Sequence, residues 1–248
     1  MSRQMLNEQT FGAAAQPTPI DLGAQRTSGV MTVNGVVNRA AFLLTLAVVS
    51  AAWGWTREEI SATEGTILMV GLIGLIVLSI VTAAKPKLAV FTGPVYAVVM
   101  GVWAGIISKA YDAAYPGIVL QAVFATFAVF LACLVLYATR IVKVTNRMVF
   151  VVFVATAGIG LMYLAAIVLG LFGVNLTFID SPSPLGILLS VGICIVAALN
   201  LFLDFRFIEE GAKAQAPTFM AWYSAFGLLA TLIWLYLEIL RLLGKIRQ

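Results

Sequence analysis

The stretch TFMAWYSAFGLLATLIWLYLEILRLL, Thr218 to Leu243, decides the fold. It exceeds the ~20 residues a helix needs to cross a bilayer's ~30 Å hydrocarbon core. It is not uniformly apolar: Ser224, Thr231 and Glu238 recur at intervals of seven and share one helix face. Gly227 and Trp234 lie on or beside that face, and Arg241 follows Glu238 by three. Polar groups facing lipid are costly, so the stripe is expected to point into protein at the middle of a helical bundle.

Six more apolar runs precede it. With the last, the expected helices are 37–55, 66–84, 88–109, 116–138, 148–172, 185–206 and 218–243. The chain is 62% apolar and 10% charged, with a mean hydropathy of +1.03. Soluble domains run at about 45–50% apolar and about 25% charged. The fold class is therefore all-α, a polytopic membrane protein in contact with the lipid bilayer. Helices pair every backbone group within the segment, and the short alternating runs of a closed barrel are absent. Short connections suggest that successive helices are antiparallel neighbours. Residues 1–35 are polar and read as a flexible tail without the apolar core of a cleaved signal peptide. Residues 36–244 form the membrane domain, and 245–248 a short C-terminal tail.

Lys and Arg set the orientation. Ten of them, among them Lys85, Lys87, Arg140, Lys143, Arg206 and Lys213, fall in segments on the same side as the N-terminus, against Arg57 and Lys109 in the loops opposite. The N-terminus is then cytoplasmic, and Arg241, Lys245 and Arg247 dissent. The opposite loops are acidic, with Glu58, Glu59, Glu64, Asp112 and Asp180. Such a mouth concentrates cations, although solvated loops carry charge in any case. The same distribution of Lys and Arg accounts for the net charge of +4 without a nucleic-acid partner.

Two carboxylates stand in apolar runs. Asp204 is expected about one turn from the cytoplasmic end of the sixth helix, with Asn200 four residues earlier on the same face. Its readings are a titrating gate, a weak oxygen ligand for a hard cation such as calcium, or a buried partner of a base such as Lys85. Glu238 lies some 20 residues along the last helix, about 20 Å from Asp204 in depth by helical rise. Thr231 is nearer to the level of Asp204, and Glu238 is expected to pair with Arg241.

Enzyme chemistry has little support. Histidine is absent, which removes Ser-His and Cys-His catalysis and imidazole metal sites. No phosphate-binding glycine loop, HExxH or CxxC occurs, and no cofactor is implied. The two cysteines, Cys133 and Cys194, sit in apolar runs and read as small core residues.

Three stretches resemble the Bax inhibitor family of membrane proteins in its bacterial YccA-like branch. They are Val119-Leu120-Gln121-Ala122 with Thr126-Phe127 and Phe130; Leu203-Asp204 with Ile208; and Thr231 through Gly244. The resemblance covers about 37–244. It implies a seven-helix bundle with the last helix central, in a bacterial plasma membrane, and a pH-sensitive calcium leak. In the family a pair of carboxylates on the sixth and seventh helices gates the path, joined by a basic residue of the second helix. The sixth-helix carboxylate falls on Asp204 and the basic residue on or near Lys85. The seventh-helix position falls on Thr231 when the ends are aligned through Arg241 and Gly244, or on Glu238 when the Leu-Tyr-Leu-acid fragment is aligned. Some bacterial relatives instead modulate another membrane protein, such as a membrane protease, without transport of their own.

Overall fold

The computed structural model describes residues 29–57, 62–173 and 181–248. The chain divides into two units, Met1–Val30 and Met31–Gln248. The expected tail lies largely outside the described residues, and every helix belongs to the second unit. Seven α-helices are described: α1 (Val33–Trp55), α2 (Ala62–Ala84), α3 (Ala89–Ala114), α4 (Ile118–Ala138), α5 (Asn146–Leu171), α6 (Pro184–Lys213) and α7 (Phe219–Ile246). A 3₁₀ turn, Pro86–Leu88, joins α2 to α3. Six are long and apolar enough to cross a membrane, and Val70–Ala84 of α2 is a shorter apolar helix among the described residues. This is an all-α, multi-pass membrane protein.

Several boundaries differ from the sequence expectation, α3 for one ending at Ala114 and not 109, and three of them have a polar reason. α1 starts at Val33 because the Thr32 hydroxyl caps it, accepting from the Gly35 amide at 3.0 Å. α6 runs seven residues past the expected 206. Its last turns carry Arg206–Glu210 (2.6 Å) and Lys213–Glu209 (2.6 Å) ion pairs, and Arg140 and the Tyr137 hydroxyl both donate to Glu209. The hydrogen bond to Glu209 pushes the Arg140 guanidinium above its ordinary pKa. Apolarity marks where a helix meets lipid, not where the helix ends. Residues 245–248 are not a free tail, since α7 continues to Ile246 and Lys245 is buried.

α7 is the axis of the bundle, packing against α1, α3, α4 and α6. It carries the longest run of buried positions, from Ala221 to Lys245. The main partner of α1 is α3, not its sequence neighbour α2. The cause is close backbone approach: a Cβ on Gly101 or Gly105 of α3 would overlap the Ala47 or Ala51 carbonyl of α1, and one on Gly54 would stand 2.5 Å from the Val102 carbonyl. Buried hydroxyls such as those of Ser108 and Thr126 bond back to the carbonyl four residues earlier. α5 packs chiefly on α6 and is the least buried of the long apolar helices. Its Phe150, Phe153 and Leu161 face outward, where a bilayer supplies their apolar surroundings. Cys133 and Cys194 are both free thiols.

Candidate ion-path site

Asp204 points from α6 toward α7. Gly227 stands opposite, and a Cβ there would lie 3.7 Å from the Asp204 Oδ1. The missing side chain leaves room for the carboxylate. Thr231, one helical turn farther along α7, has its side chain near the Asp204 carboxyl, while its hydroxyl donates to the Gly227 carbonyl oxygen at 3.1 Å. The hydroxyl has one proton, so these two partners compete for it unless the carboxyl carries a proton of its own. The Asp204 Oδ2 is buried without a hydrogen-bond partner, an expensive state for a carboxylate oxygen.

The remaining exposure of Asp204 is to a cavity of about 510 Å³ between α5, α6 and α7. Asn146, Arg206 and Glu210 line it near the bundle end that holds the α4–α5 and α6–α7 connections; Asn200 and Gly227 line it farther along the helices, and the outward-facing Phe153 lies at its open edge. Arg206 fixes the rim, donating to the Val144 carbonyl (3.0 Å), Asn146 Oδ1 (2.9 Å) and Glu210. Asn200 commits its amide hydrogens to Thr156 Oγ1 (2.7 Å) and the Val196 carbonyl (2.9 Å), which leaves its Oδ1 as the acceptor. Thr156, on α5, was not singled out in the sequence; its signal is the level it shares with Asn200 across the α5–α6 pair. No cluster of three or more His, Cys, Asp or Glu able to hold a metal occurs among the described residues. A cation here would meet one carboxylate and a few neutral oxygens.

Lys85 does not join this group. It is exposed at the end of α2, where the helix gives way to the 3₁₀ turn. Asp204 stands nine residues before the end of α6, roughly 14 Å along the axis by helical rise. The expected Asp204–Lys85 pair is therefore not formed. The expected depth gap to Glu238 also shrinks. Asp204 faces Gly227 and lies near Thr231, and the rise from those two residues to Glu238 is about 10–16 Å, somewhat less than the expected 20 Å.

Glu238 is buried and multiply held. Tyr163 of α5 donates to its Oε1 at 2.6 Å and Trp234 at 3.2 Å. The expected Arg241 pair is present at 3.4 Å, and Arg241 also donates to the Tyr163 oxygen. Lys245 completes the group: its Nζ donates to Ser190 Oγ (2.7 Å) and the Gly186 carbonyl (3.1 Å) of α6. The sequence signal for Lys245 is the seven-residue stripe itself, which continues from 224, 231 and 238 to 245. In the acidic loops, Glu58, Glu59 and Asp180 lie outside the described residues, as does the side chain of Glu64. Asp112 accepts from the Gly117 amide at 2.9 Å, a turn-stabilising bond.

The family model described as Bax inhibitor 1 like matches residues 1–248, so the match includes the N-terminal segment that the quoted motifs leave out. No curated protein and no solved structure matches the chain significantly.

Proposed function

Because the chain belongs to the Bax inhibitor 1-like family of membrane proteins, we propose that it is a passive, pH-modulated leak for calcium or other cations, with Asp204 as the gate. One observation carries this reading: a carboxylate with an unpartnered, buried oxygen stands on the wall of a cavity between α5, α6 and α7 that opens at the bundle's edge. An intramembrane carboxylate without a basic partner has a role other than ion pairing. Its two protonation states make different bonds. A protonated Asp204 can donate to Thr231, which then donates to the Gly227 carbonyl, closing a chain across α6 and α7. An ionised Asp204 takes the Thr231 proton for itself and presents an anionic oxygen toward the cavity. The change of partners biases the α6–α7 contact and so the closed–open equilibrium.

The weak ligand set suits passage. Tight calcium sites use six to eight oxygens, and an ion held by one carboxylate, Asn200 and Thr231 is free to leave. The orientation with the N-terminus in the cytoplasm of a bacterial cell gains support from Arg241 and Lys245. These engage groups inside the protein, so two of the three dissenting charges are not loop charges at all.

A second reading, a membrane-embedded modulator of another protein such as a membrane protease, is favoured by the hydroxyl at position 231, where a two-carboxylate gate would have an acid. Purified protein alone separates the two. Calcium uptake into proteoliposomes above that of empty liposomes supports the leak. None, from protein that is monodisperse and helical, moves the assignment to the modulator.

A further inference from the structure

A second cavity, of about 470 Å³, lies between α1, α3, α4 and α7. Its chemistry is unlike that of the cavity beside Asp204. The walls are residues such as Leu44, Ala47, Gly101 and Val123, and no charged side chain of the described residues lines them. The hydroxyls that reach it are already satisfied. Ser108 donates to the Ala104 carbonyl (2.6 Å) and so accepts from the Tyr236 hydroxyl (2.5 Å), and Thr126 donates to the Ala122 carbonyl (2.7 Å). Water needs two to four polar partners to stay in a cavity, whereas apolar cavities take up apolar guests.

Length and position narrow the guest. On α1 the lining runs from Leu44 to Trp55, about 16 Å by helical rise. That is about half of a ~30 Å hydrocarbon core, the depth of one leaflet. The lining ends with Trp55, at the end of α1, where an indole suits the headgroup level. The cavity also opens sideways. α1 packs mainly on α3 and α4 mainly on α7, and the gap between α1 and α4 is bordered by the exposed Val48 and Phe127. These two belong to the same apolar outer surface as Val49 and Phe124, so the cavity is continuous with the face that meets the bilayer. We infer that it is a binding site for one acyl chain of a membrane phospholipid, entering between α1 and α4 from the leaflet at the α1–α2 end. The chain covers Leu232 and Ile233, where the central helix α7 lacks protein neighbours. A free fatty acid suits the site less, since no cation lines it to take the carboxylate.

Brominated acyl chains quench nearby tryptophan, and Trp55 lines the cavity. The test titrates phosphatidylcholine with brominated chains into lipid-stripped, full-length protein in detergent micelles and follows tryptophan fluorescence. Native protein should show saturable quenching. Val123→Phe and Ala52→Phe, which fill the cavity from α4 and α1, should each weaken binding by about tenfold or more. Val49→Phe, on the outer surface beside the cavity, should bind as the native protein does. Helicity and monodisperse elution check the fold; Ala52 is the more exposed of the two filled positions and keeps the test if Val123→Phe does not fold. Quenching that only rises in proportion to the brominated lipid present is contact around the bundle and overturns the site. So do folded, filled variants that bind like the native protein, and saturation by brominated stearate but not by the phospholipid. A native dimer that Val123→Phe turns into a monomer would give the cavity to a second copy and overturn it as well.

Discussion

Asp204 and Glu238 are carboxylates on adjoining helices with opposite surroundings. Glu238 is neutralised by Arg241 and hydrogen-bonded by Tyr163 and Trp234. Asp204 has Thr231 and an oxygen with no partner. The first arrangement holds the fold and the second is free to change. Truncating Glu238 to Ala removes the acceptor of the Tyr163 and Trp234 donors inside the bundle, and should cost about 2–3 kcal/mol, read as a fall in the unfolding midpoint in detergent. A cost below about 1 kcal/mol would mean the group is solvated. Thr231→Val keeps the side-chain shape and removes the hydroxyl, so it should leave stability nearly unchanged and move the pH midpoint of flux. An unmoved midpoint would remove Thr231 from the gate. Asp204, Asn200, Thr231 and Glu238 were legible as rare polar residues in apolar runs. Lys85 was misplaced because sequence position gives no depth, and Tyr163 and Thr156 escaped notice because hydroxyls on a lipid-exposed helix carry no charge signal.

Among the helices, α1 and α3 form the tightest contact and α5 the loosest. Gly105 meets the Ala51 backbone directly, whereas nothing lies within 4 Å of a Cβ at Gly158 on α5. Gly105→Ala should therefore destabilise by about 1–3 kcal/mol through overpacking. Gly158→Ala should be neutral or stabilise by up to about 1 kcal/mol through helix propensity. Thermal or denaturant unfolding of the two variants side by side checks both, and equal effects would contradict the packing described. The number, order and type of helices could be read from the sequence because lipid demands long apolar runs. Which helices pair could not, since Gly71 and Gly74 of α2 resemble Gly101 and Gly105 in sequence. Only the facing surface decides which pair is used: a Cβ on Gly71 would meet Trp103 at an ordinary 3.5 Å, and one on Gly74 meets nothing.

For the whole molecule, the cavity beside Asp204 and the charged group around Glu238 both lie among α5, α6 and α7, and orientation fixes which side each faces. Impermeant thiol reagent added to intact bacterial cells should label Ala114→Cys, beyond the end of the α3 apolar run. Lys143→Cys, between α4 and α5, should react only after lysis. The reverse pattern would invert the topology and place the Asp204 cavity outside. The most direct measurement is calcium uptake by proteoliposomes across acidic to alkaline pH, for the native protein and for Asp204→Asn. The account predicts flux that varies with pH in the native protein and loses that dependence in the variant. A folded Asp204→Asn protein that retains the native pH profile would contradict it.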